Sequence, residues 1–223
     1  MAKFFYHESS YVDDNVNIGE LSNNLAQNIT LNNIVLYFKF NFLDTSFKKE
    51  IANHLGNKTF FFQTDIIGNL AESGNWFTSL KDDFYQLNNF QKKVDNSISI
   101  SGDLYQESGA TITQQLAYTL AHANEYLHNF GSKCYKNIHF CFSVSGNYFF
   151  EIAKLKAFKI LWQHLLEVYD IKVVDPHFFV KPSIRNKTIY DNNTNIIRTT
   201  TECMSAILGG ANTVANIGYD GSD

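Results

Sequence analysis

A chain of 223 residues is long enough for one large domain or two small ones. Hydrophobic residues make up 44% and aromatic residues 15%, enough for a sizeable core, and only two prolines argue against a proline-rich linker or tail. A net charge of −4 without a basic stripe speaks against nucleic acid as a partner, and no apolar run reaches the roughly 18 residues of a membrane span.

The first residues, Met1-Ala2-Lys3-Phe4-Phe5-Tyr6-His7, carry no signal-peptide pattern. Residues 4–7, 34–42, 59–63 and 97–104 are short apolar or aromatic runs between polar breaks and are predicted as strands. The run Phe60-Phe61-Phe62 is read as core. A helix is predicted over 112–129, with Leu116, Leu120, Tyr126 and Leu127 near one face. A strand over 138–144 follows, then a helix over 149–169 with Ile152, Leu155, Phe158, Leu161, Trp162 and Leu165 at helical spacing. A strand over 178–181 precedes a helix over 196–208, which repeats Ile197, Met204, Ile207 and Leu208 and stops at Gly209-Gly210. A last strand is predicted over 213–217. The alternation of strands and helices implies a parallel sheet or barrel. Seven strands fit most of a (β/α)8 barrel, so an incomplete TIM-type barrel over residues 1–223 is expected, as part of a longer chain.

Chemistry is sparse. Cys134, Cys141 and Cys203 form no CxxC pair, which favours unpaired thiols and a cytoplasmic location. Asn-x-Thr triplets such as Asn28-Ile29-Thr30 and Asn186-Lys187-Thr188 are read as chance. His122, His128, His139 and His164 have no metal-like pairing, so no metal site is expected. His122 and Glu125, one helical turn apart, read as a solvated face. Glu151 and Lys154 read as an intrahelical pair. Ser143-Val144-Ser145-Gly146-Asn147-Tyr148 links a strand to a helix and could hold an anion, although a plain turn with Asn147 near the cap is the simpler reading.

Three segments together resemble a known family. Ser99-Ile100-Ser101-Gly102 with Gln106-Glu107-Ser108-Gly109-Ala110 is the first. Gly146-Asn147-Tyr148-Phe149-Phe150-Glu151-Ile152-Ala153-Lys154 is the second. The third runs from Arg198-Thr199-Thr200-Thr201-Glu202 to Gly209-Gly210. They are similar to the acyl-CoA mutase barrel of the methylmalonyl-CoA mutase family, over roughly residues 34–220. The resemblance implies a TIM-type barrel without the family's C-terminal cobalamin-binding domain. It also implies a role in the adenosylcobalamin-dependent interconversion of methylmalonyl-CoA and succinyl-CoA.

The departures lie where the chemistry would be. Family chains that catalyse carry Tyr-His where this chain has Asp103-Leu104, and leucine offers no hydrogen bond to a thioester carbonyl. Their polar residues near the cofactor become Ala215, Ile217 and Gly221, so no cofactor is expected on this chain. A substrate-contacting Arg aligns with Ser73, while Gln63 is retained. Asp175-Pro176-His177-Phe178-Phe179-Val180 nearly matches DxHxxG, which carries a cobalt-ligating His, but Val180 replaces the Gly, and His177 is read as an ordinary residue at a strand entry.

No catalytic residue is therefore expected. The substrate-binding candidates are Gln63, Asp103, Tyr105, Gln106 and Asn147. Asn186-Lys187-Thr188-Ile189-Tyr190-Asp191, Gly74-Asn75-Trp76-Phe77 and Ala121-His122-Ala123-Asn124-Glu125-Tyr126-Leu127 look like the small, non-catalytic subunit. The implied partner is the large catalytic subunit, in a heterodimer. The alternatives are a divergent acyl-CoA mutase chain with its own acyl-CoA site, or an unrelated ligand-binding barrel. A barrel short of a strand leaves two open edges, so self-association of the isolated chain is expected.

Overall fold

The computed structural model describes residues 3–8, 34–56, 58–172 and 174–216. The triplet at 28–30, Ile217 and Gly221 lie outside them. The chain divides into two compact units, Met1–Ser99 and Ile100–Asp223.

In the first unit, β1 (Lys3–Glu8), β2 (Ile34–Lys39) and β3 (Thr59–Phe62) form a sheet in that order. All are parallel, with Phe5 opposite Leu36 and Tyr37 opposite Phe61. Phe62 donates its N–H to Asn96 O at 2.9 Å and Ser99 donates to Thr64 O at 3.0 Å, so the segment after the last helix of this unit runs beside β3. Three helices sit between the strands, α1 (Thr45–Leu55), α2 (Ile66–Ser73) and α3 (Leu80–Gln91). Each starts on a side-chain cap, Asp44, Asp65 and Ser79 respectively, which accepts from free backbone N–H groups of the first turn. The expected core run is confirmed at Phe61 and Phe62, which are buried, while Phe60 is half-buried.

Strand β4 (Ile98–Ser101) crosses the division and opens a second sheet of order β4-β5-β6-β7, with β5 (Ile138–Val144), β6 (Phe178–Pro182) and β7 (Thr213–Val214). The β5–β6 and β6–β7 pairs are parallel, with Ser143 opposite Lys181 and Phe179 opposite Thr213. The helices are α4 (Gly102–Glu107), α5 (Ile112–Phe130), α6 (Tyr148–Val168) and α7 (Asn192–Gly209). Thr111 and Gln114 form a reciprocal capping box at the start of α5. Side chains alternate across a strand, so Phe140, Phe142 and Phe178 share the face that meets α6. Their rings stand edge-on to Phe158, at 4.7, 4.9 and 5.8 Å between centroids. Cys141, Ser143, Phe179 and Lys181 point to the other face.

The predicted strand over 97–104 is corrected here. It ends at Ser101, and Asp103 and Leu104 belong to α4. The reason is at Gly102. A Cβ there would sit 2.8 Å from Thr119 Oγ1, 2.9 Å from the Phe142 ring and 3.1 Å from Cys141 O. Only a residue without a side chain lets α4 turn directly onto β5 and α5. Gly102→Ala is therefore expected to destabilise the protein by about 1–3 kcal/mol, the usual range for overpacking. A thermal melt checks this, and an unchanged midpoint would show that α4 is not seated as described.

Two helix faces also differ from expectation. Leu116 and Leu120 of α5 are only half-buried, and the buried side runs through Gln115, Thr119, His122, Ala123, Tyr126 and Leu127. On α7 the order is reversed. Ile197, Met204, Ile207 and Leu208 are exposed, while Asn195, Thr199, Glu202, Ser205 and Ala206 are buried.

Candidate functional site

The C-terminal ends of β4, β5 and β6 are neighbours in the second sheet, where open α/β sheets and barrels place their ligands. Helix α4 starts at the end of β4 and brings Asp103, Tyr105 and Gln106 within one turn. Asp103 Oδ2 pairs with Lys181 Nζ of β6 at 2.9 Å. Asp103 Oδ1 is buried and accepts no hydrogen bond, and the same holds for Gln106 Oε1. The Gln106 carbonyl accepts from Arg185 Nη1 at 3.2 Å. Tyr105 Oη lies 3.2 Å from Nδ1 of His122. His122 is thus buried between α4 and α5, which corrects its reading as part of a solvated face. Glu125 is exposed and accepts from Asn129.

Glu107 ties the strand ends together. Its carboxylate accepts from Ser143 Oγ of β5 at 2.5 Å and from Ser183 Oγ, just past β6, at 3.1 Å. Next to it lies a buried ionic cluster. Lys154 Nζ of α6 reaches Glu151 Oε2 at 2.5 Å, Ser143 O at 2.7 Å and Gln115 Oε1 of α5 at 3.0 Å. Ser145 Oγ donates to Glu151 Oε1 at 2.7 Å. Burial pulls the Lys154 ammonium below the usual lysine range, and the Glu151 carboxylate works against that shift. The intrahelical pair expected from spacing exists, but it is fully buried and joins α5, β5 and α6.

The remaining candidates lie elsewhere. Asn147 is exposed at the start of α6 and makes no capping bond through its side chain. Gln63 follows β3 in the other unit, where its N–H donates to Phe38 O at 2.8 Å. Lys181, Ser183, Arg185 and Glu107 were not singled out by sequence reasoning. One signal was available for Lys181, as the only charge inside an otherwise apolar strand.

The arrangement holds charges of both signs at the strand ends. Leu104 sits on α4 between Asp103 and Tyr105, half-buried and without a polar atom. Ala215 N donates to Val180 O at 2.9 Å, and its side chain is a methyl group. His177 precedes β6, at the end of the strand opposite the cluster, and burial pushes its imidazole down to about 4. Among the described residues no group of three His, Cys, Asp or Glu could hold a metal ion.

A family model described as Methylmalonyl-CoA mutase matches residues 15–222. A methylmalonyl-CoA mutase small subunit from Porphyromonas gingivalis is 33% identical over 135 residues, covering 56% of this chain and 21% of that protein. A mitochondrial methylmalonyl-CoA mutase from Macaca fascicularis is 28% identical over 220 residues, covering 88% of this chain and 28% of the relative. A large subunit from Streptomyces virginiae is 36% identical over 124 residues, or 51% of this chain and 17% of the relative. The chain thus spans between about a sixth and somewhat over a quarter of the curated relatives it matches. With nearly the whole length accounted for by the family model, the chain belongs to the methylmalonyl-CoA mutase family.

Proposed function

We propose that this chain is a catalytically silent barrel domain of the small-subunit type, and that it supports a methylmalonyl-CoA mutase by pairing with a large catalytic subunit in the cytoplasm. The observation that carries this reading is Leu104. It lies on α4 at the strand ends, where by the family resemblance catalytic chains carry a His, and its side chain has no hydrogen bond to give to a thioester carbonyl. The parallel strands and intervening helices support a TIM-type barrel, and the similarity to a chain named small subunit supports the role.

Of the three positions that the resemblance assigns to the cofactor, only Ala215 lies among the described residues, and it supports a chain that leaves adenosylcobalamin to its partner. Ala215 brings no polar atom, no histidine among them lies at the C-terminal ends of β4, β5 or β6, and His177 lies at the other end of β6. The cofactor would belong to the large subunit, and isomerisation would take place there.

One observation favours a second reading, a divergent acyl-CoA chain. Asp103 Oδ1 and Gln106 Oε1 are buried acceptors without donors, one turn apart, and a ligand bearing N–H or O–H groups would satisfy them. Size-exclusion chromatography with light scattering, on this chain mixed with a large mutase subunit, separates the two. A one-to-one complex, with no turnover of methylmalonyl-CoA by this chain alone when adenosylcobalamin is supplied, is the expected result. Turnover by the isolated chain would overturn the silent-subunit reading. Saturable acyl-CoA binding without a complex would favour the second.

A further inference from the structure

We draw no further inference here: the strongest candidate, the buried acceptors without donors Asp103 Oδ1 and Gln106 Oε1 on α4 at the end of β4, belongs to the site already described.

Discussion

Lys154→Met is expected to destabilise the second unit by about 3–5 kcal/mol, the typical cost of removing one partner from a buried ion pair. The ammonium has three acceptors, Glu151, Gln115 and the Ser143 carbonyl, and both charged side chains are nearly inaccessible. Methionine fills similar space but donates nothing. Glu151 would keep only the Ser145 hydroxyl as a donor, and a carboxylate in that position has no water to turn to. The loss reaches three elements at once, because Lys154 is where α5, β5 and α6 meet. At this chain length such a change corresponds to a fall of about ten degrees in the melting temperature. Urea titration followed by circular dichroism gives the free energy directly. The double variant Glu151→Leu, Lys154→Met separates the pair from the space it occupies. It should recover most of the loss, since replacing both charges with apolar groups is often close to neutral. A single-variant cost below about 1 kcal/mol would show that water reaches the pair.

How much of this could be read from sequence varied with the kind of signal. Strand 138–144 was predicted at its observed bounds because all seven positions are buried and five of them, all but His139 and Ser143, are apolar. Helix α6 was placed within one residue at each end, since its aromatic and leucine repeats are dense. The strand over 97–104 was overextended because Ile98, Ile100 and Leu104 look alike in a pattern, and nothing in a pattern reports that Gly102 touches α5 and β5. Helices α1 to α3 were not named. Their buried positions are few, and one of the three on α1 is a lysine. On α7 periodicity found the apolar stripe but could not say which side it faces, and here the polar side is the buried one. The site divides in the same way. Asp103, Tyr105 and Gln106 were legible together because they share one turn within a recognised segment. Lys181, Ser183 and Arg185 join them only through the parallel pairing of β5 with β6, which brings together residues about eighty positions apart. His122 looked solvated because its neighbour Glu125 is, and its contact with Tyr105 depends on how α4 packs on α5.

The pH dependence of stability should carry the mark of Lys48. This residue lies on α1 of the first unit and is 1% exposed. Its Nζ donates to Thr64 Oγ1 at 3.0 Å and stands 5.8 Å from the centre of the Phe40 ring. Burial lowers its pKa to about 7, and the nearby Asp44 carboxylate only partly opposes this. In the unfolded chain the same group titrates at the ordinary lysine value of about 10.4. Between these two values the unfolded chain holds a proton that the folded chain has released, so stability rises with pH across this window. Below about 7 both forms are protonated and the cost of the buried charge is borne in full. Lys48→Met removes the titration. The variant loses one hydrogen bond to Thr64, worth about 1 kcal/mol, and escapes a charge penalty of a few kcal/mol. It should therefore be more stable than the parent at pH 6, and the difference should shrink as pH approaches 10. Taking the difference between the two chains cancels the tyrosines and exposed lysines that also titrate at high pH. Chemical denaturation of both chains at several pH values measures it. A constant difference across that range would mean that Lys48 keeps its proton in the folded protein. A variant less stable than the parent at pH 6 would mean that the bond to Thr64 and the ring contact outweigh the cost of burying the amine.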